Sequence, residues 1–481
     1  MFFSYALALA VSAAADNGAE VTIFNQGFAL VKETRDLSLK SGRQEVRIED
    51  VAQLIEPSSV GIRSISSPGS FEVLEQNYQY DLISTQAILN KAVGGRIALN
   101  RVLPNGVKER ISGILMSSPT AIVGGGGGQY VYNGMVLQAD DGRILLDPSG
   151  EVEVSSIPEG LISKPSLLWD LVSDRAGQNK VEISYLTQGM SWNADYVLSL
   201  DGEGKTGDLK GWVTLNNNSG ATFKEAKLKL LAGDVQRAQA RFGGGLGAGG
   251  RGGAPEAMMD KGFAEEQFAD YHLYTLGRPA SIRNKEIKQI SLLEGMAVPV
   301  TKKLIIDAMR FYNNWQPQEE GTIGIGKIKP QIRIEFKNDK ASNLGMPLPK
   351  GNFKVFQRDK SGSTQMLGED TIDHTPRDEK ISLVVGQAFD VVCDRKRTKF
   401  EWLRRGGPTG WGTREWYEIE LRNRKESPER VYVWERHWWE YAIKENNMPF
   451  NKLDANTIEF VVDLKAGETK TIKYMVETYW P

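Results

Sequence analysis

The sequence predicts an all-β protein made of several antiparallel β-sandwiches of the immunoglobulin-like type, with a few short helices. Short apolar runs alternate with charged residues, most clearly between Leu348 and Asp394. Gly, Pro, Asp and Ser separate these runs every several residues, which is typical of tight turns between antiparallel strands. Elsewhere apolar residues recur at every second position, as in Ile332, Ile334 and Phe336. This period of two predicts strands with one buried face and one solvated face.

The composition is that of a soluble globular protein, and it disfavours two classes of partner or site. The 481 residues suffice for about two to four domains, and the charged fraction of 25% is ordinary. The net charge is −2 and no long basic block occurs, so nucleic acid is not an expected partner. Cys393 is the only cysteine, which rules out an intrachain disulfide and a cysteine-based zinc site.

The N-terminus predicts export. Residues 2–15 carry no charge and end in Ala13-Ala14-Ala15, where a signal peptidase would cut. We therefore expect a signal peptide over residues 1–15 and a mature periplasmic or extracellular chain that starts near Asp16. The usual Lys or Arg at the start is missing. No later window reaches the length of a membrane span, so no transmembrane span is expected after signal removal.

Residues 16–160 predict an N-terminal β domain with one short helix. Ile23–Val31 is expected as a strand, and the five glycines Gly124–Gly128 as a loop tip. Asp141-Gly142 lies between two apolar runs and predicts a hairpin with a type I′ turn. Ser84 can cap the helix, Gly94 can end it, and one apolar face would hold Ile88, Leu89, Ala92 and Val93.

Two further β regions follow a predicted connector. Residues 161–178 are expected to form a helical connector that begins at Pro165, with Leu168, Leu171 and Val172 on one face. Residues 179–310 predict a central β-sandwich with a disordered, glycine-rich insertion at 239–268, because glycine buries no apolar area to offset its backbone entropy. Residues 323–481 predict a C-terminal β-sandwich.

The best candidates for catalysis are Glu369, Asp370, Asp373 and His374, which lie within one short segment. Carboxylates beside a histidine could act as an acid–base pair. In an extended strand, however, Asp370 and His374 share one face while Asp373 points to the other. The interpretation that the sequence favours is a loop held by hydrogen bonds. No metal site and no cofactor are expected, although calcium in acidic loops stays open because its oxygen ligands leave no firm spacing.

Three other patterns carry weaker signals. His437 and Glu440 have an H-x-x-E spacing, but the surrounding residues predict a strand, on which the two would not align. The glycines of Gly243–Gly250 lack the strand and helix that a phosphate-binding loop requires. Cys393 follows an apolar run and is expected to pack as a small hydrophobic residue and not to act as a nucleophile.

Tryptophans are concentrated near the C-terminus, and three of them are candidate binding residues: Trp411, Trp438 and Trp439. Trp411 lies in a glycine-rich segment that would bury it poorly. An exposed tryptophan offers a large contact area at a low cost in entropy, which suits a partner protein or a sugar ring.

Several long phrases resemble a bacterial family, the domain of unknown function 4139. They include PLPKGNFKVFQRD, GEDTIDHTPRDE and GQAFDVV, and upstream YLTQGMSWNADYVLSL. NQGFALVKETRDLSL is similar to the region that usually precedes that domain. The resemblance covers nearly the whole mature chain. It implies an exported bacterial protein with β-sandwich domains, and it implies no reaction, cofactor or catalytic residue.

Three functions remain open at this point. The sequence favours a non-enzymatic binding or scaffolding component of the bacterial cell envelope, with an envelope protein or a glycan as partner. The first alternative is a hydrolase of envelope polymers, glycan or peptide, that uses carboxylates near Asp373. The second is an oligomeric surface or secretion component that assembles through edge strands. The sequence leaves the oligomeric state undetermined.

Overall fold

The computed structural model describes residues 18–123, 130–233, 235–237, 263–269, 271–308, 325–406 and 410–481, with side chains except at 120–133. The predicted signal peptide at 1–15, the Gly124–Gly128 loop tip and the part of the insertion at 239–262 lie outside the described residues. Strands account for 64% of the structure and helix for 3%. The all-β fold class is therefore confirmed. No helix in the described part of the chain is long and apolar enough to cross a membrane.

The elements of the N-terminal part, in chain order, are β1 Glu20–Phe24, β2 Phe28–Leu39, β3 Gly42–Glu49, β4 Gly61–Ser64, β5 Phe71–Gln79, α1 Thr85–Ala92, β6 Arg96–Val102, β7 Lys108–Ser117, β8 Thr120–Val123, β9 Tyr130–Asn133, β10 Val136–Ala139, β11 Ile144–Leu146 and β12 Glu151–Val154. The central part contains β13 Ser166–Ser173, β14 Gly177–Gln188, β15 Met190–Leu200, β16 Thr206–Asn217, β17 Phe223–Ala232, β18 Phe263–Phe268, β19 Tyr271–Leu276, β20 Ala280–Ile282, β21 Glu286–Pro299 and β22 Thr301–Asp307.

The C-terminal part contains β23 Gly326–Ile328, β24 Gln331–Lys337, β25 Gly351–Arg358, β26 Thr364–Ile372, β27 Lys380–Gln387, β28 Val391–Arg405, β29 Trp411–Asn423, β30 Glu429–Arg436, β31 Glu440–Asn446, β32 Asn451–Lys452, β33 Thr457–Leu464 and β34 Thr469–Trp480. Single 3-10 turns occupy Pro57–Ser59 and Lys340–Ser342.

The chain folds into two compact units. The first contains the chain up to Ser191, Asn216–Lys229 and Arg278–Glu286, and the second contains Trp192–Leu215, Leu230–Gly277 and Ile287–Pro481. The chain thus returns to the first unit twice. The predicted boundaries at 160, 179, 310 and 323 stay predictions.

The first unit contains three main sheets. In one, β17, β1, β2, β14 and β4 are neighbours in that order; in the others the orders are β11-β10-β7-β6-β12 and β3-β13-β5. Helix α1 begins after Ser84, whose side chain accepts a hydrogen bond from the amide of Ala87. Leu89 of this helix packs with Leu99, Leu115 and Leu137 in one buried cluster. The predicted helix and its cap are therefore confirmed.

The predicted helical connector at 161–178 is wrong. Ser166–Ser173 forms β13, which pairs along its full length with β3 on one side and β5 on the other. Leu167, Trp169 and Leu171 are buried in this central strand. A short apolar run fits a helix and a buried strand equally well by periodicity, and here the pairing with two distant strands decides.

Three smaller features differ from the predictions. Ile23–Val31 contains a turn, so β1 and β2 are separate strands of a hairpin. The predicted hairpin at Asp141-Gly142 is confirmed as the pair β10–β11, but only Gly142 has a positive φ, which fits a type I turn with a glycine bulge and not a type I′ turn. Phe263–Phe268, predicted to be disordered as part of 239–268, forms β18, because Phe263 is buried and the strand pairs with β19.

Two sheets of the second unit enclose one core and form a sandwich. One sheet has the order β27-β24-β22-β30-β33-β32 and the other β23-β28-β29-β34-β31. Both contribute to a single buried cluster, for example Val433 and Phe460 from the first sheet and Ile419 and Ile472 from the second. The pairs β22–β30 and β15–β25 are parallel.

Candidate functional site

The two predicted catalytic carboxylates on β26 lie in different surroundings. Glu369 is exposed, whereas Asp370, the next residue, is half-buried. Oδ2 of Asp370 accepts a hydrogen bond of 2.7 Å from the amide of Val384 on β27. At this point β27 carries a bulge, because Arg333 pairs with Val384 and the preceding Ile332 with Gly386. Asp370 therefore satisfies an amide next to the bulge.

Asp373 and His374 are also engaged by the main chain. Oδ1 of Asp373 accepts a hydrogen bond of 2.9 Å from the amide of His374, and Nδ1 of His374 accepts one of 3.1 Å from the amide of Lys350. A β-bridge between Leu348 and Thr375 joins the same two segments. Within the described residues, no group of three His, Cys, Asp or Glu side chains is placed to hold a metal ion.

A cluster of aromatic rings at one end of β28, β29 and β34 is a candidate for binding. It contains Phe400, Trp402, Trp411 and Trp480, which we call the aromatic surface. The planes of Trp411 and Trp480 are inclined by only 8°, with ring centroids 6.4 Å apart. Trp402 lies 5.6 Å from Trp411 and 6.3 Å from Trp480. Trp411 is 39% exposed.

Strand register places these rings on one face of the sheet. Trp411 on β29 pairs directly with Trp480 on β34. On β28, two bulges, at Arg397/Lys399 and at Trp402/Arg404, each shift the alternation of side chains between the two faces by one residue. Because of the first bulge, Phe400 and Trp402 share the face that carries Trp411.

One guanidinium group, that of Arg405, flanks the aromatic surface. Arg405 lies 5.7 Å from the ring centroid of Trp402. Arg404 lies 4.9 Å from the ring centroid of Tyr479 on the opposite face of the sheet, since both residues pair with Gly412. Both arginines are exposed. The aromatic surface thus combines flat apolar ring faces with the hydrogen-bond donors of Arg405 at one edge.

Beneath the aromatic surface, the same face of the sheet carries buried charges. Arg395 on β28 and Glu435 on β30 are 3% and 1% exposed. Nη2 of Arg395 donates to Oε2 of Glu435 at 2.7 Å, and Nε donates to Oε1 at 3.0 Å. The hydroxyl of Tyr474 also donates to Oε2 of Glu435. This carboxylate is thus fully occupied by partners.

A second buried pair lies beside the first, and both of its residues belong to the sheet that contains β28 and β29. Nη1 of Arg397 donates to Oε2 of Glu415 at 3.0 Å, and the hydroxyl of Tyr417 donates to the same oxygen at 2.8 Å. The guanidinium of Arg395 lies 4.1 Å from the ring centroid of Tyr417, which links the two pairs. We call these residues, Arg395, Arg397, Glu415, Tyr417, Glu435 and Tyr474, the buried charge layer.

Burial shifts the ionisation of groups in and around this layer. It lowers the pKa of His437 to about 4 and raises the pKa of the Cys393 thiol to about 12. It also raises the pKa of Tyr474 well above its usual value. Cys393 is fully buried, so its expected role as a packing residue is confirmed. His437 presents a buried Nε2 that no described residue meets with a hydrogen bond.

The inner face of β29 therefore changes character along its length. Leu421 and Ile419 belong to the apolar core, Tyr417 and Glu415 belong to the buried charge layer, and Trp411 ends the series at the surface. Paired charges fix the side chains directly below the rings. The aromatic surface thus rests on a rigid base.

Trp438 and Trp439 lie elsewhere, in the connection between β30 and β31. Trp439 is 45% exposed and has a φ of 75°. Trp438 is half-buried, and its Nε1 is buried without a hydrogen-bond partner among the described residues. In the described part of the chain, no ring contact joins either residue to the aromatic surface. His437 is buried, whereas Glu440 is exposed.

Sequence reasoning missed the buried charge layer and three of the four aromatic residues. The alternation of Tyr417, Ile419 and Leu421 already assigned the odd positions of β29 to the core, and Glu415 continues that series. A charged residue at a core position of a strand was therefore the available signal. Trp402 and Trp480 gave no local signal, because a bulge and a distant strand bring them to Trp411.

A scan against protein-family models finds no match to the chain, and no curated protein matches it. The resemblance to the domain of unknown function 4139 therefore stays a prediction.

Proposed function

We propose that the chain is an exported, non-enzymatic binding protein of the bacterial cell envelope that holds a glycan on its aromatic surface. The observation that carries the proposal is the near-parallel pair Trp411 and Trp480, backed by Trp402. One face of a sugar ring consists of C–H groups and is apolar, so it stacks on an indole. A ring hydroxyl at its edge would accept a hydrogen bond from Arg405.

Size favours a glycan over a protein partner. A stable protein interface buries about 800 Å² on each side. A single aromatic side chain buries about 150–250 Å² when it is fully covered, and the rings of the aromatic surface are already half-buried apart from Trp411. The area that remains suits one or two sugar units better than a protein surface.

The surroundings of the carboxylates support a non-enzymatic role. Asp370 and Asp373 accept hydrogen bonds from main-chain amides. Glu415 and Glu435 are paired with arginines in the interior. A glycosidase needs two carboxyl groups that face one cleft. The hydrolase alternative stays a hypothesis that no observation here favours.

The test compares two single tryptophan variants. Binding of the purified mature chain to insoluble cell-wall glycan and to soluble oligosaccharides is measured by sedimentation and by tryptophan fluorescence. Trp411→Ala should raise the Kd about five- to twelvefold, because a stacked aromatic contributes on the order of 1–1.5 kcal/mol. Trp439→Ala is the matched control, since this residue is exposed to a similar degree but lies outside the aromatic surface.

Two results would contradict the proposal. Wild-type protein that binds no glycan, or equal Kd values for Trp411→Ala and wild type, would remove the aromatic surface as the binding site. Export is tested separately, by the mass of the protein recovered from the cell envelope. A chain that begins near Asp16 is expected, and a full-length chain confined to the cytoplasm would refute export.

A further inference from the structure

We infer that the first unit contains a second binding site, a cleft that takes the carboxylate of a small molecule or of a peptide C-terminus. The cleft has a volume of about 690 Å³, which falls within the range of about 300–1,000 Å³ typical of ligand sites. Glu33 and Arg35 of β2 line it, together with residues of the segments 163–165 and 220–224. This inference is independent of the glycan proposal.

Arg35 presents one unused edge to the cleft. Its side chain is only 7% exposed, and that of Glu33 is 10% exposed. Nε and Nη2 of Arg35 both donate to Oε2 of Glu33, with the first bond at 3.0 Å. A guanidinium has a second edge, formed by Nη1 and the remaining hydrogen of Nη2. Among the described residues, nothing other than Glu33 receives a hydrogen bond from Arg35.

The position of Glu33 is fixed, so it cannot turn to cover the second edge of Arg35. Its other oxygen, Oε1, accepts a hydrogen bond of 3.0 Å from the hydroxyl of Tyr185. Tyr185 is fully buried on the neighbouring strand β14. Arg35 is therefore held in place with a planar pair of donors available for a ligand.

The charges around the cleft favour a single negative charge. Lys164 is paired with Asp50 at 2.8 Å, and Arg35 is paired with Glu33. Lys224 also lines the cleft, is exposed and forms no ion pair with any described residue. One cationic charge thus remains for a ligand. The planar edge of a guanidinium matches a carboxylate in a bidentate arrangement, whereas Glu33 would repel the double charge of a phosphate.

The test uses four probes and the full chain. Binding of N-acetyl-alanyl-alanine, its C-terminal amide, sodium acetate and inorganic phosphate is measured by calorimetry and by ligand-observed NMR. The dipeptide acid should bind and the amide should not. Acetate that binds as tightly as the dipeptide would show that a free acid suffices, and a preference for the dipeptide would show that the peptide is recognised.

Two variant comparisons locate the site. Arg35→Lys keeps a positive charge beside Glu33 but removes the second edge, so the Kd for the dipeptide acid should rise at least about tenfold. Lys224→Glu should also weaken binding, while Lys40→Glu, an equal charge change at an exposed residue outside the cleft, should not. Because Lys224 and Lys40 are exposed, this pair tests the site even if Arg35→Lys fails to fold.

The inference is overturned if acid and amide bind equally, if phosphate binds more tightly than the carboxylates, or if no carboxylate binds. It is also overturned if Lys224→Glu and Lys40→Glu behave alike.

Discussion

Arg395 and Glu435 form a bidentate ion pair across the core of the second unit, with both side chains almost completely withdrawn from water. The pair connects β28 of one sheet with β30 of the other. Desolvation of two such charges is costly, and their mutual attraction with additional hydrogen bonds offsets that cost. Here Tyr474 supplies one of those hydrogen bonds.

Removal of one partner should be far more harmful than removal of both. Arg395→Met leaves Glu435 buried without its counter-charge, and we expect the free energy of unfolding to fall by about 3–5 kcal/mol. The double variant with Glu435→Leu should recover most of this loss. Urea denaturation provides the measurement. Arg430→Met, which breaks an exposed pair with Asp463, is the control and should cost less than about 1 kcal/mol. Similar losses for both single variants would contradict the prediction.

Stability should fall in mild acid because of His437. Burial lowers its pKa in the folded state to about 4, below the usual value of about 6.5. Between these values the unfolded chain binds more protons than the folded chain, so the stabilising contribution is present above pH 6.5 and is lost as the pH falls. The loss from this residue should be about 3 kcal/mol between pH 7 and pH 4.

The measurement for His437 compares urea denaturation of the wild type and of His437→Gln across this pH range. The variant lacks the titrating ring, so the stability advantage of the wild type should shrink as the pH falls. An advantage that does not change with pH would show that His437 does not titrate as described.

Gly368 should not tolerate a side chain. A Cβ at this position would lie 2.0 Å from the carbonyl oxygen of Val385, a backbone atom that cannot move aside easily. Gly368→Ala should therefore destabilise the protein by about 2–3 kcal/mol, as overpacking does elsewhere. Gly386→Ala is the control, because the nearest atom to its Cβ is 4.0 Å away. This control should change the free energy of unfolding, measured by thermal denaturation, by no more than about 0.5 kcal/mol. Equal melting temperatures for the two variants would refute the close approach.

Asp370 should matter for stability and its neighbour Glu369 should not. Asp370→Ala leaves the amide of Val384 without its acceptor and should cost about 1–2 kcal/mol. Glu369→Ala alters an exposed side chain and should have an effect within about 0.5 kcal/mol. Chemical denaturation of both variants decides. Comparable losses, or a loss confined to Glu369→Ala, would contradict the assignment of Asp370 to the β27 bulge.

The sequence predicts the elements whose conformation depends on residues nearby in the chain. It fails to predict those whose conformation depends on pairing with distant strands. Ser84 caps α1 and Gly142 shapes the β10–β11 turn through contacts with residues nearby in the chain, so both could be predicted. The residues of β13 include apolar side chains at helical spacing. They form a strand because β13 pairs with two strands that are distant in the sequence, β3 and β5. No local pattern reports such long-range pairing.

The same distinction applies to the candidate sites. Trp411 could be selected from its glycine-rich surroundings, whereas its partner Trp480 could not, because only the β29–β34 register brings the two together. The inner face of β2 carries, in order, Val31, Glu33, Arg35 and Leu37. A charged pair within such a series is visible in the sequence, but the cleft beside it depends on segments far along the chain.

The bulges of β28 have a consequence for how related chains would vary in length. Thr398 and Leu403 are the extra residues, since each lies between neighbours that already have partners on β29. Deleting either residue would leave the β28–β29 ladder intact and would keep Trp402 on the same face of the sheet as Trp411. Gaps in an alignment of orthologues should therefore fall at these two sites, and an insertion between Phe400 and Trp402 would turn one of these two rings to the opposite face of the sheet.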